Sequence, residues 1–296
     1  MTTDPIPPQR ELRAGRDYPV WPYLKWGHAV RMHQRLANDY NLWRGSLAAE
    51  TRAEYSADRR TVTFFATIAN QPPTYEWSLS FGDIVHNYRS ALDSLAWSMA
   101  HLDGKRPHPR HEKRIYFPLT RSRTEFDKLA STSLSSVPED VLDRMQSVQP
   151  YHGARVNDAI GLTLHDLDIQ DKHRSAIEMR AVAADKTSYA LKVSYETKAD
   201  GVDDGCEPEW IAPDRTIQDG DPVAVMRFSR PVRLAEIEEL PLVLMVEDKG
   251  QRRDVWNLLA LIDRQVGATF RRVERGFLKD DAEYFGMSAS ADDGVG

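Results

Sequence analysis

Between residues 81 and 102 the chain carries Val85, Tyr88, Leu92, Leu95, Met99 and Leu102 at alternating gaps of three and four. Residues so spaced share one face only on an α-helix, so this stretch is a core helix with an unbroken apolar stripe. His86, Arg89 and Asp93 repeat at the same spacing along the margin of that stripe, which places three ionisable side chains on one flank. Ser90 and Ser94 are small enough to let a second helix approach closely. A fold that buries the stripe must also bury, or half-bury, part of a charged row, and buried charges require partners. A polar cluster at a helix boundary is the first expectation.

The other elements follow from the same two periods. Trp26, Ala29, His33, Leu36, Tyr40, Trp43 and Leu47 give a long amphipathic helix over residues 23–47, with His33 as a core or boundary histidine. Residues 61–69 are β-branched and aromatic, Asn70-Gln71-Pro72-Pro73 breaks the pattern, and residues 74–80 read as a second strand, so a β-hairpin is expected over about 61–80. Gly82-Asp83 would then open the central helix, with Asp83 at its N-terminus. Short helices are expected at 121–130 and 137–148, and a longer one from 156 to about 170. From 174 to 247 the period changes to two, with strands around Ile177–Ala183, Tyr189–Tyr195, Val223–Ser229 and 242–247, read as a small antiparallel sheet at about 175–248. Helical spacing returns over 252–279 through Val255, Leu258, Ile262, Val266, Phe270, Val273 and Phe277. The tryptophans at 26, 43, 77, 97 and 256 fall on apolar faces or strands and read as core. The expected fold is α+β and mainly α, a helical bundle with strands inserted at two points. It forms one domain over 21–286, between a flexible arm at 1–20 and a disordered tail at 287–296.

Composition narrows the function classes. A net charge of −6 argues against a general polyanion binder, because such proteins draw their affinity from neutralising phosphates. Locally the balance differs: residues 105–123 hold seven Lys or Arg, two His and one Glu, either a solvated loop or a phosphate-facing patch. No apolar run approaches the roughly 20 residues needed to span a bilayer, and the N-terminal residues lack the apolar core of a signal peptide. The lone cysteine, Cys206, excludes an internal disulfide and a cysteine-based zinc site, and its acidic surroundings disfavour a thiolate nucleophile. The cytoplasm is the expected location. P-loop, GxGxxG and GxSxG motifs are absent.

A second polar concentration runs from His165 to Arg174, His-Asp-Leu-Asp-Ile-Gln-Asp-Lys-His-Arg. His165 and Asp168 share a helix face, and Asp171, Lys172, His173 and Arg174 sit where that helix gives way to the sheet. A basic helix C-terminus is also what the helix dipole favours with no function at all. His86, His165, Asp168 and His173 are residue types that suit a divalent metal, although no HExxH or paired ExxH spacing is present. No cofactor is expected.

Gly82 to Trp97 (GDxxHNxRSALDxLxW), Gln149-Pro150-Tyr151 and Asp171-Lys172-His173-Arg174 together resemble a family of bacterial and phage-associated proteins of unassigned function, over roughly residues 74–180. If the shared polar residues meet, Asn87, Arg89 and Asp93 on one helix face Asp171 and His173 on another. The chain also bears a weaker resemblance to the HEPN superfamily, compact helical domains that often dimerise and include metal-independent ribonucleases of the toxin or phage-defence kind. Those enzymes carry an arginine followed four to six residues later by a histidine on one helix. Here the first histidine after Arg89 is His101, and Arg106 and His111 have the spacing but lie next to Pro107 and Pro109. A pair would therefore be assembled across helices.

The HEPN resemblance implies RNA as substrate, a homodimer, and a catalytic set of Arg89, His173, Asp93, Asp171 and Arg174. Cleavage needs a base of near-neutral pKa for the 2′-hydroxyl proton and a cation for the charge on the phosphorane. His173 would be the base, oriented by Asp171 or Asp93, and Arg89 or Arg174 would grip the phosphate. Asn87, Lys172, Arg106, Arg110, Lys113 and Arg114 would contact substrate. The contrasting, non-enzymatic expectation is that Arg89, Asp93 and His173 form a buried network fixing helix register in a binding protein.

Overall fold

The computed structural model describes residues 20–46, 50–173, 176–183, 191–195, 208–211, 215–237, 240 and 242–274. The N-terminal arm, the tail, Cys206, Arg174 and the side chain of His173 lie outside that set. Among the described residues the order is α1 (Val20–Ser46), β1 (Glu50–Tyr55), β2 (Thr61–Thr67), α2 (Thr74–Ala100), α3 (Pro109–Glu112), α4 (Arg123–Ala130), α5 (Glu139–Ser147), α6 (Ile160–His173), β3 (Met179–Ala183), β4 (Leu191–Tyr195), β5 (Glu209–Trp210), β6 (Pro222–Arg227), β7 (Val232–Ile237), β8 (Leu242–Asp248), β9 (Gln251–Asp254) and α7 (Val255–Val273). The class is α+β, as the two periods in the sequence imply. No described helix is long and apolar enough to cross a membrane.

The expected hairpin over 61–80 is corrected. Residues 74–80 are the first two turns of α2, and β2 pairs instead with the preceding β1. The apolar stripe explains the difference: Trp77 and Phe81 are buried along with Ile84, Val85 and Tyr88, so the spacing of three and four runs back past Gly82. Pro73 precedes the first turn, and the Ser78 hydroxyl donates to Thr74 O within it. Asp83 is therefore an interior, exposed helical residue rather than a helix start. Gly82 answers a different need. A Cβ there would stand 2.5 Å from Asp171 Oδ1, so α2 and α6 approach through a glycine despite its roughly 1 kcal/mol helix penalty.

The described residues gather into two compact units: those within Met1–Met32, Gly82–Ser175 and Leu259–Gly296, and those within His33–Phe81 and Ala176–Leu258. In the first, the α2 residues Val85, Tyr88, Leu92, Leu95 and Met99 are all buried. Trp26 of α1 donates from Nε1 to Asp263 of α7 at 2.8 Å and packs closely enough on α7 that a Cβ at Gly267 would meet its ring at 3.0 Å. Tyr23 donates to the Glu274 carboxylate beside the same helix.

The second unit holds three antiparallel sheets among the described residues, ordered β1-β2-β6-β5, β3-β8-β9 and β4-β7, where a separate hairpin and one small sheet at 175–248 were expected. Alternation in β2 buries Val62, Phe64 and Ala66, which pack with Val223, Met226 and Val232. β9, read from sequence as the start of the last helix, pairs with β8 across Lys249-Gly250. Both turn residues have positive φ, 52° and 75°, as a two-residue type I′ hairpin requires. His33 stacks on Trp256, an aromatic packing role. Trp97 departs from the expected core position: it is 42% exposed and lies against His101.

Candidate functional site

The two polar concentrations of the sequence meet between α2 and α6, inside the first unit. His86 Nδ1–H donates to Asp168 Oδ1 at 3.0 Å, and Lys172 Nζ reaches Asp168 Oδ2 at 2.9 Å. One turn along α2, Arg89 Nη2 lies 2.8 Å from Asp93 Oδ1. Arg89 Nη2 also donates to the carbonyl of Phe117 at 2.8 Å, while the Phe117 N–H donates to Asp93 Oδ1 at 2.9 Å. The ion pair thus grips both polar groups of one peptide residue, as the neighbouring strand of a sheet would. The Phe117 ring is fully buried and Arg89 is 4% exposed. The segment 115–120 is pinned at a second point, where Thr120 donates from both N and Oγ1 to Gln149 Oε1 at 3.0 Å. Gln149 Nε2 in turn donates to Met145 O. Gln149, the first residue of the Gln-Pro-Tyr motif, is therefore an anchor for this segment.

Beside the pinned segment lies a pocket of about 500 Å³, lined by Arg89 of α2, His165 of α6, Tyr116, Phe117, Leu119 and Thr120 of the segment, and side chains of the basic run and α4 that include His111, Arg114, Glu125 and Lys128. Two of its buried nitrogens have no hydrogen-bond partner among the described residues: Arg89 Nη1 and His165 Nδ1. Burial, and next the charge of Arg89, hold the His165 imidazole below its ordinary pKa of 6.5, against the opposing pull of Asp166, Asp168 and Asp93. At neutral pH the ring is neutral and able to take a proton. Burial pushes the Asp93 carboxyl upward, and Arg89 and the Phe117 N–H partly offset this. A buried cation with one free N–H edge, beside a neutral histidine, suits an oxyanion that gains negative charge as it loses a proton.

The sequence-derived candidates divide accordingly. Arg89, Asp93 and Arg114 are brought to the pocket wall or its supports. Lys172 is committed to Asp168, and Asp171 packs against Gly82. Asn87 donates to Asp83 O on its own helix and to Met32 Sδ on α1. Arg106, Arg110 and Lys113 are exposed along the basic run. Of the metal candidates, His86 and Asp168 meet, and His165 turns up in the pocket; among the described residues no three His, Cys, Asp or Glu side chains gather as a metal site would need. Tyr116, Lys128 and His111 had no place in the sequence-based set. No protein-family model, no curated protein and no solved structure matches this chain.

Proposed function

We propose that the chain is a metal-independent endoribonuclease whose centre is the pocket holding Arg89 and His165. The observation that carries the proposal is that both residues line one pocket and each keeps a buried nitrogen without a partner among the described residues. His165, rather than His173, takes the role of base. It accepts the proton of an RNA 2′-hydroxyl as the 2′-oxygen attacks the adjacent phosphorus. The P–O5′ bond then breaks, and the 5′-oxygen takes a proton from water. Arg89 holds a non-bridging phosphate oxygen and stabilises the charge that builds on it, while Arg114 and Lys128 attract flanking phosphates. The products are a 2′,3′-cyclic phosphate and a 5′-hydroxyl. A HEPN-like arrangement of the first unit, with the arginine and histidine on separate helices, a homodimer and a cytoplasmic toxin or phage-defence role belong to the same reading.

The test is incubation of purified protein with single-stranded RNA in EDTA, with end-group analysis of the fragments. His165→Gln and Arg89→Lys, each with native-like circular dichroism, are expected to lower the single-turnover rate by about 10²- to 10⁴-fold. Failure to cleave in EDTA, or full cleavage by His165→Gln, would reject the assignment. The non-enzymatic reading draws on a separate observation: Arg89 and Asp93 grip each other and the Phe117 backbone. On that reading the pair is a lock on the 115–120 segment of a binding protein.

A further inference from the structure

Tyr116 is 41% exposed, while its neighbour Phe117 is fully buried and tied through both its N–H and its C=O to Asp93 and Arg89. An exposed aromatic residue on a loop means little by itself. This one differs in where it stands. It lines the same pocket as Arg89, Arg114, Lys128 and His165, and adjacent Cα atoms are only about 3.8 Å apart, so the grip on Phe117 fixes the backbone from which the ring projects. Thr120, pinned by Gln149, holds the other end of the segment. The result is a flat apolar ring at a set place beside a buried guanidinium, with Leu119 and Leu129 as further apolar lining.

Cations beside an exposed ring are what a nucleotide needs: charge for the phosphate and a flat π-face for the base. A pocket of about 500 Å³ falls within the range of small-ligand sites, and one nucleotide is a ligand of that class. We infer that Tyr116 is a stacking platform for the base adjoining the phosphate bound at Arg89, and that the substrate is therefore single-stranded. In a duplex each base face is already covered by its neighbours in the stack, so a base can reach Tyr116 only where it is unpaired. Asp93 acts here as a positioning residue, since it fixes Phe117 and through it the Tyr116 backbone. The inference rests on the phosphate-binding reading of the pocket and does not require that the phosphodiester be cut.

The experiment uses the whole protein and fluorescently labelled single-stranded DNA, which keeps the phosphates and bases but lacks the 2′-hydroxyl and so cannot be cleaved by the proposed route. Binding is measured for the intact strand, for strands with a single abasic site at successive positions, and for the blunt duplex, with wild type, Tyr116→Phe and Tyr116→Ala. Base–aromatic stacking is expected to make Tyr116→Ala bind about 5- to 150-fold more weakly, with Tyr116→Phe near wild type. One abasic position should give a similar loss in wild type and no further loss in Tyr116→Ala. Wild-type affinity in Tyr116→Ala, additive losses, or a duplex bound as tightly as the single strand would overturn the inference. RNA cleavage separates the two readings. If strands bind with the coupling described but RNA is never cut, the nuclease assignment fails and the platform stands. If RNA is cut and Tyr116→Ala binds and cuts like wild type, the platform alone fails.

Discussion

Arg89 and Asp93 differ in burial, and that difference predicts which of them is costlier to remove. The Arg89 side chain is 4% exposed and that of Asp93 is 33% exposed. Asp93→Ala leaves a guanidinium inside the protein without its counter-ion, still donating to the Phe117 carbonyl. Breaking a buried ion pair in this way costs about 3–5 kcal/mol. Arg89→Ala leaves a carboxylate that a third of its surface lets water rehydrate, plus a Phe117 carbonyl without its donor, worth about 1–3 kcal/mol. Asp93→Ala should therefore be the more damaging of the two. The double substitution Arg89→Ala, Asp93→Ala should cost less than the sum of the singles, with a coupling of about 1–3 kcal/mol. Because the chain forms two compact units, a single unfolding transition is not a safe assay. Hydrogen exchange at the Phe117 amide reads the grip directly, since that N–H donates to Asp93 Oδ1. Its protection should fall in both singles, further in Asp93→Ala. Equal and additive losses, or unchanged protection at Phe117, would refute the account of the ion pair as a backbone grip.

Gly82→Ala would gain about 1 kcal/mol in an open helix; here the new methyl falls within 2.8 Å of the Asp171 carboxylate, so a net local destabilisation of about 1–3 kcal/mol is expected from native-state hydrogen exchange of the α2 amides around residue 82, and Asp171→Ala should relieve it. A stabilising Gly82→Ala would contradict the packing described. His165 has a folded pKa below its ordinary 6.5, so as pH falls through 6.5 the unfolded chain takes up a proton that the folded protein still refuses. Stability should thus decline from about pH 6.5 down to the folded pKa, and His165→Gln should show a shallower decline over that window. If cleavage is found, the acid limb of its kcat/KM profile should lie below pH 6.5 for the same reason, and a limb above it would exclude His165 as the base.

The legible part of this protein was the part written in local spacing. The stripe from Val85 to Leu102 and the charged row His86, Arg89 and Asp93 are properties of one helix, and helix geometry fixes them before any tertiary structure exists. The β1–β2 pairing was misread because Thr74–Ser80 is rich in aromatic and hydroxyl residues and Gly82 looked like a stop; burial decided for helix, and close approach to Asp171 accounts for the glycine. The proposed base, His165, was also legible in part. At 3.6 residues per turn, positions 168 and 172 lie within about 60° of 165 round the helix, so the three share one face of α6. Asp168 and Lys172 are the residues that pair across or along α6 at the boundary with α2. The face of α6 that meets the charged row was therefore present in the sequence once Asp168 was taken as its centre, and His165 comes with it. The pocket wall was not. Tyr116 and Thr120 are placed by Asp93 and Gln149, 23 and 29 residues away, and no period in the chain links a loop to the side chains that hold it. Bonds of that kind need the folded core first, which is why a site whose wall is a pinned loop shows only its helical half to a reader of the sequence.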